Sequence, residues 1–85
     1  MTTEDVRREI VAIIADVSGF EEEEIRPDVR LVEDLEMDPI KAIEIAVAIE
    51  KKFRVSIRDE DIPKIKTPRE IMTLVDSLLQ HAEET

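Results

Sequence analysis

Four prolines, at positions 27, 39, 63 and 68, limit where this 85-residue chain can be helical. Proline lacks a backbone N–H and clashes with the preceding turn, so a helix accepts it in its first turn and not in its interior. Pro39 and Pro68 each follow a good capping residue, Asp38 and Thr67, and each opens a stretch with helical apolar spacing. "DPIKAIEIAVAIEKKF" predicts a helix over 39–53, with Ile40, Ile43, Val47 and one of Ile49 or Ala46 inward and Glu44, Glu50 and Lys51 outward. In "TPREIMTLVDSLL", Thr67 and Glu70 have capping-box spacing, and Ile71, Leu74, Val75, Leu78 and Leu79 form the apolar stripe of a last helix.

Upstream, "TTED" gives Thr2 and Asp5 the same capping spacing, and Val6, Ile10, Ile13, Ile14 and Val17 mark one face of a first helix ending near Ser18 and Gly19. Residues 20–35, "FEEEEIRPDVRLVEDL", have neither period. They read as a long ordered loop resting on the core through Ile25, Val29, Leu31 and Leu35, a length more often functional than idle. In "VSIRDEDIPKI", Asp59 can cap one turn from Glu60 to Ile62 before Pro63 limits it. The expectation is all-α: three main helices and a short one between the last two, packed as a small four-helix bundle. Only Phe20 and Phe53 are aromatic and there is one glycine, which argues against an all-β domain. Residues 1–85 are expected to form one domain, since a chain of this length buries only about 60–65% of its unfolded surface and has no room for a second core.

The 42% hydrophobic content, rich in twelve Ile and eight Val, supports a core despite 40% charged residues and a net charge of -10. Residues 1–40 hold thirteen acidic and four basic side chains, against nine and eight in residues 41–85, so the acidity is concentrated in the front half. Such a field repels phosphate backbones and anionic headgroups and favours basic protein partners, so neither nucleic acid nor membrane insertion is expected. With no cysteine, no signal peptide and no apolar run longer than "IVAIIA", the expected setting is the reducing cytoplasm, and the expected state a monomer.

Candidate chemistry is sparse. His81, the one histidine, lies in the polar tail "QHAEET" without a second member for a nucleophilic or metal site. "EEEE" at 21–24 and "DED" at 59–61 lack the spacing of a calcium loop and read as solvated faces; no metal site is expected. Glu33 and Asp34 are adjacent carboxylates without an evident apolar pocket to separate their pKa values, so nothing points to an enzyme.

Residues 31–71, "LVEDLEMDPIKAIEIAVAIEKKFRVSIRDEDIPKIKTPREI", resemble the acyl carrier proteins of fatty-acid and polyketide synthesis, on the run Glu33-Asp34-Leu35, Asp38, then Ile40 to Phe53. Residues 4–30 are similar to that family's first helix and following loop. The resemblance implies a carrier-type four-helix bundle and, in the family, an Asp-Ser-Leu motif whose serine receives 4′-phosphopantetheine. Here the motif reads Asp38-Pro39-Ile40. Proline has no nucleophile to form the phosphodiester, so no cofactor is expected at Pro39, and Ser18, Ser56 and Ser77 do not sit at a helix start after an aspartate. The resemblance also implies a partner surface on the second helix. The candidate partner-binding residues are Asp38, Ile40, Lys41, Glu44, Val47, Glu50, Lys51 and Ile62, and the partner an enzyme of acyl metabolism.

Over 39–53, Lys41, Lys51 and Lys52 stand against Glu44 and Glu50, net +1. Steering toward basic partners is then weakened or redirected; alternatively the lysines only form helix pairs such as Lys41 with Glu44. The functional expectation is a non-enzymatic interaction module unable to carry the cofactor. The alternatives are a working carrier lineage whose serine is replaced in this chain, and a binder of free fatty acyl chains, for which Ala42, Ala46 and Ala48 leave space.

Overall fold

The computed structural model describes residues 3–84, with side chains over 4–80. The expected Thr2 cap and the side chain of His81 lie outside the described residues. Three α-helices carry the fold: α1, Thr3–Ser18; α2, Pro39–Phe53; and α3, Pro68–Glu84. A short 3₁₀ turn, Glu22–Glu24, interrupts the first long connection, and a 3₁₀ helix, Asp59–Lys64, bridges α2 and α3. The described chain is all-helical, as expected.

α1 packs against both α2 and α3. Val6, Ile10 and Ile14 are buried on its inner face, with Ile13 and Val17 packed beside them. It stops at Gly19, whose N–H donates to the Ala15 carbonyl at 2.8 Å with φ +82°, a conformation that glycine adopts without a Cβ penalty. α3 starts as its sequence predicts: the Glu70 N–H donates to Thr67 Oγ1 at 3.2 Å, while Thr67 Oγ1 donates to Glu70 Oε1 at 3.2 Å. Ile71 and Val75 are fully buried and Leu74, Leu78 and Leu79 flank them.

The 20–38 connection is tied to the body along its length. Ile25, Leu31, Leu35 and Met37 enter the core, and Val29 packs against it. The Leu31 N–H donates to the Lys66 carbonyl at 2.9 Å and the Arg69 N–H to the Pro27 carbonyl at 3.0 Å, so the loop is strapped to the start of α3. The Arg69 guanidinium adds an ion pair with Asp28 at 3.1 Å. The acidic run is not wholly irregular, since the Glu21 N–H donates to Glu24 Oε2 at 3.1 Å and closes a capping box over the 3₁₀ turn.

Two sequence expectations are corrected. Asp59 is the first residue of the 3₁₀ helix and not its cap, which is Arg58, without a side-chain bond, and the helix continues through Pro63 to Lys64. In an i→i−3 ladder the missing Pro63 donor forfeits a single bond, and the neighbours hold: Asp61 N–H to the Arg58 carbonyl at 2.9 Å, Ile65 N–H to the Ile62 carbonyl at 3.1 Å. The inward face of α2 is the second. Ile45, Ala46, Ile49 and Phe53 are buried, whereas Ile40, Ile43 and Val47 are 64%, 50% and 42% exposed. This helix carries two apolar stripes. Both satisfy a helical period, and α1 covers the 45–49–53 stripe, leaving the other bare.

Candidate functional site at the start of α2

The approach to α2 is anchored by alternate residues. Leu35 and Met37 are buried and Glu36 between them is exposed at φ +53°, while the Met37 N–H returns to the Leu31 carbonyl at 3.1 Å. This turn delivers Asp38 in an extended conformation, φ −62° and ψ 135°, suited to a cap. Asp38 Oδ1 accepts the Ile40 N–H at 3.0 Å and its carbonyl accepts the Lys41 N–H at 2.8 Å. Pro39 sits between them as the first helical residue, where its missing N–H costs nothing, and its ring is exposed.

Pro39 lines a hollow of about 330 Å³ between α2 and the 3₁₀ helix, with Val32, Ala42, Ile43, Ile62 and Ile65 as apolar walls. Arg30, Glu33 and Lys66 supply its polar lining. None of its lining residues bears a hydroxyl or a thiol, so nothing in this hollow can take a phosphodiester-linked group. A separate, smaller hollow touches Asp38 and Lys41 together with Ser18 and Glu36; the Ser18 oxygen accepts the Phe20 N–H at 3.2 Å and belongs to the end of α1. Sequence reasoning set Ile62 in the candidate set, and the structure brings it to Pro39. It missed Val32, Ile65 and Lys66, which converge on the hollow from distant segments and have no local sequence signal.

The remaining candidates divide by what their side chains already do. Ile40 and Val47 lie outward, against the inward orientation expected from periodicity. Lys41 pairs with Glu44 at 3.4 Å, so both charges are partly spent within the helix. Glu50, expected outward, is half-buried, and its Oε2 accepts the Ile57 N–H at 2.9 Å; the chain after α2 folds back over it. Lys52, at the far end, pairs with Glu9 of α1 at 3.3 Å. Lys51 has no ion-pair partner among the described residues. Beside the hollow, the Asp34 carboxylate accepts the Arg30 N–H at 2.9 Å and its guanidinium at 3.2 and 3.3 Å. The backbone bond first, and the guanidinium second, hold the Asp34 carboxyl below the ordinary carboxylate range, while Arg30 is raised in turn.

Among the described residues, no helix is long and apolar enough to cross a membrane. Residues 8–75 match the family model described as the phosphopantetheine attachment site. Over 84 residues the chain is 36% identical to the meromycolate extension acyl carrier protein of Mycobacterium leprae, covering 99% of this chain and 73% of that one. It is also 36% identical over 72 residues to the acyl carrier protein of Rickettsia bellii, covering 85% of this chain and 89% of that one. The solved acyl carrier protein of Enterococcus faecalis superimposes with a TM-score of 0.78 at 28% identity, over 92% of this chain and 99% of that one. Helix order, site geometry and sequence therefore converge: the chain belongs to the acyl carrier protein family, whose members are carriers and not enzymes.

Proposed function

We propose that this protein is an acyl-carrier-protein-like module of fatty-acid-type acyl metabolism that binds a protein partner without carrying 4′-phosphopantetheine. One observation carries the reading: Pro39 is the exposed first residue of α2, directly after the Asp38 cap, where the family resemblance expects the modified serine. Attachment needs a side-chain oxygen that attacks phosphorus and stays as a phosphodiester, and proline has none. The relatives support the metabolic setting by their names, acyl carrier protein and meromycolate extension acyl carrier protein. The module acts as a single-domain monomer in the cytoplasm. Of the candidate partner residues, Ile40, Val47 and Lys51 are free to meet a partner, Asp38 holds the helix start, and Glu50 is committed to Ile57.

The intact helix start favours a second reading, a working carrier lineage whose serine is replaced in this chain. The Asp38 cap at 3.0 Å would present a serine at 39 as well as it presents proline. Incubation with coenzyme A and a broad-specificity phosphopantetheinyl transferase, followed by intact mass measurement, separates the two. The unaltered chain is expected to gain no mass. A gain on it would sink the non-carrying reading. A gain by Pro39→Ser alone favours the replaced-serine lineage.

A further inference from the structure

An aspartate precedes a proline only at Asp38-Pro39; the other prolines follow Arg26, Ile62 and Thr67. The peptide bond between the two differs from the rest of the chain on both sides. Its nitrogen belongs to a tertiary amide, which takes a proton more readily than an ordinary peptide nitrogen and leaves as a secondary amine. Its carbonyl carbon belongs to the residue whose own side-chain carboxyl can close on it as a cyclic anhydride, so the attacking group is already in place within one residue. Both residues are exposed, and water and acid reach the bond freely.

The fold acts on this bond in opposing ways. The Asp38 carbonyl accepts the Lys41 N–H at 2.8 Å, which polarises the carbon under attack, but Asp38 Oδ1 is committed to the Ile40 N–H at 3.0 Å and withheld from that carbon. Leu35 and Met37 are buried just upstream and Ile45 downstream, so the two ends of a broken bond stay together and the amine can close the anhydride again. In the small hollow that Asp38 borders, the charged lining residues are Glu36 of the loop and Lys41 of α2, while α1 contributes only the uncharged Val17 and Ser18. Lys41 is paired with Glu44. The proton that the leaving nitrogen needs therefore comes from acid in the solvent.

We propose that Asp38-Pro39 is an acid-triggered self-scission site, which the folded chain guards by committing the Asp38 carboxyl to the α2 cap and by holding the two ends of the bond together. The Asp38 carboxylate oxygen attacks the Asp38 carbonyl carbon, and the bond from that carbon to the Pro39 nitrogen breaks. The electron pair stays on the nitrogen, which takes its proton from solvent acid. Water then opens the cyclic anhydride, leaving residues 1–38 with a free terminal carboxyl and residues 39–85 with a secondary amine at Pro39, on the edge of the hollow that Pro39 lines. Acid and water are the only co-reactants. The cut separates α1 and its loop from α2 and α3, and the packing of α1 against both helices keeps the two pieces associated in the folded protein. The inference is independent of the non-carrying reading, which concerns the side chain at position 39 and not the bond before it.

The test incubates the full chain at about pH 2.5, below the ordinary carboxyl range, and follows it by intact mass and N-terminal sequencing. The expected products are residues 1–38 and a fragment beginning Pro39-Ile40-Lys41, formed about tenfold faster than cuts at any other aspartate. Pro39→Ala keeps the carboxyl but restores an ordinary leaving group, and Asp38→Glu keeps the charge but lengthens the arm that must close the ring; each is expected to slow the cut about tenfold or more. Folding of the variants does not enter, because the bond breaks in the unfolded chain as well. The guard is read at about pH 5, with helicity followed by circular dichroism: urea sufficient to unfold the chain is expected to speed scission about tenfold. Absence of the fragment pair at the lower pH, cutting no faster than at the other aspartates, or an undiminished rate in either variant overturns the site. A rate that urea leaves unchanged overturns the guard.

Discussion

Which side of α2 holds the protein together can be measured by truncating one isoleucine on each stripe. Ile49→Ala removes three carbons from a fully buried side chain. At about 0.8 kcal/mol per methylene-sized group this loses roughly 2.4 kcal/mol of transfer free energy, and the cavity left in a close-packed core raises the expected cost to about 3–4 kcal/mol. Ile43→Ala removes the same atoms from a side chain that is 50% exposed. Half the transfer term is about 1.2 kcal/mol, and alanine's better helix propensity returns about 0.4 kcal/mol, so the net cost is expected below about 1 kcal/mol. A chain of this size has a total stability of about 4–13 kcal/mol, so the first change removes a large fraction of it and the second little. Urea unfolding followed by circular dichroism at the helical band gives both values from the midpoints at constant m. Near the melting temperature the buried truncation corresponds to a drop of roughly 12–30 °C. If Ile43→Ala costs as much as Ile49→Ala, the assignment of the two stripes is wrong.

Other perturbations probe the frame around the site. Arg54 closes α2 in the left-handed conformation, φ 56° and ψ 46°, so Arg54→Gly is expected to stabilise by about 0.5–1 kcal/mol, read as a higher urea midpoint; a lower midpoint would refute the strain argument. Glu50→Ala strips the half-buried Ile57 N–H of its acceptor and is expected to cost about 1–3 kcal/mol, with faster amide exchange at Ile57 as the local signature. Because Asp34 is held below its ordinary carboxyl value in the folded chain, its contribution is present above that value and is lost as pH falls through the depressed one. Asp34→Asn should therefore flatten the acid limb of the stability profile, and carbon NMR of the Asp34 carboxyl should titrate lower than in an unfolded peptide.

The start of the site was legible because capping is local. Asp38, Pro39 and the Ile40 N–H lie within three residues of one another, and the bond between first and third follows from residue type and the fixed proline φ. Thr67 and Glu70 were readable for the same reason. Glu50 was not, since its partner is Ile57 across the turn after α2, and a glutamate in a helix gives no sign that a later amide will fold back over it. Periodicity also misassigned Ile40, Ile43 and Val47, because it detects that a residue is apolar at the right interval and not which neighbour covers it.

By itself, then, the sequence determined the three main helices, the caps of α2 and α3, the loop residues that enter the core, and a side chain without a nucleophile at position 39, all consequences of local bonding or of side-chain chemistry. Only the tertiary structure decided which of two apolar stripes on α2 became interior, and that Val32, Ile62 and Ile65 close a hollow beside Pro39. Those outcomes depend on where α1 and the 3₁₀ helix pack, and burial belongs to the pair of surfaces in contact and not to either one alone.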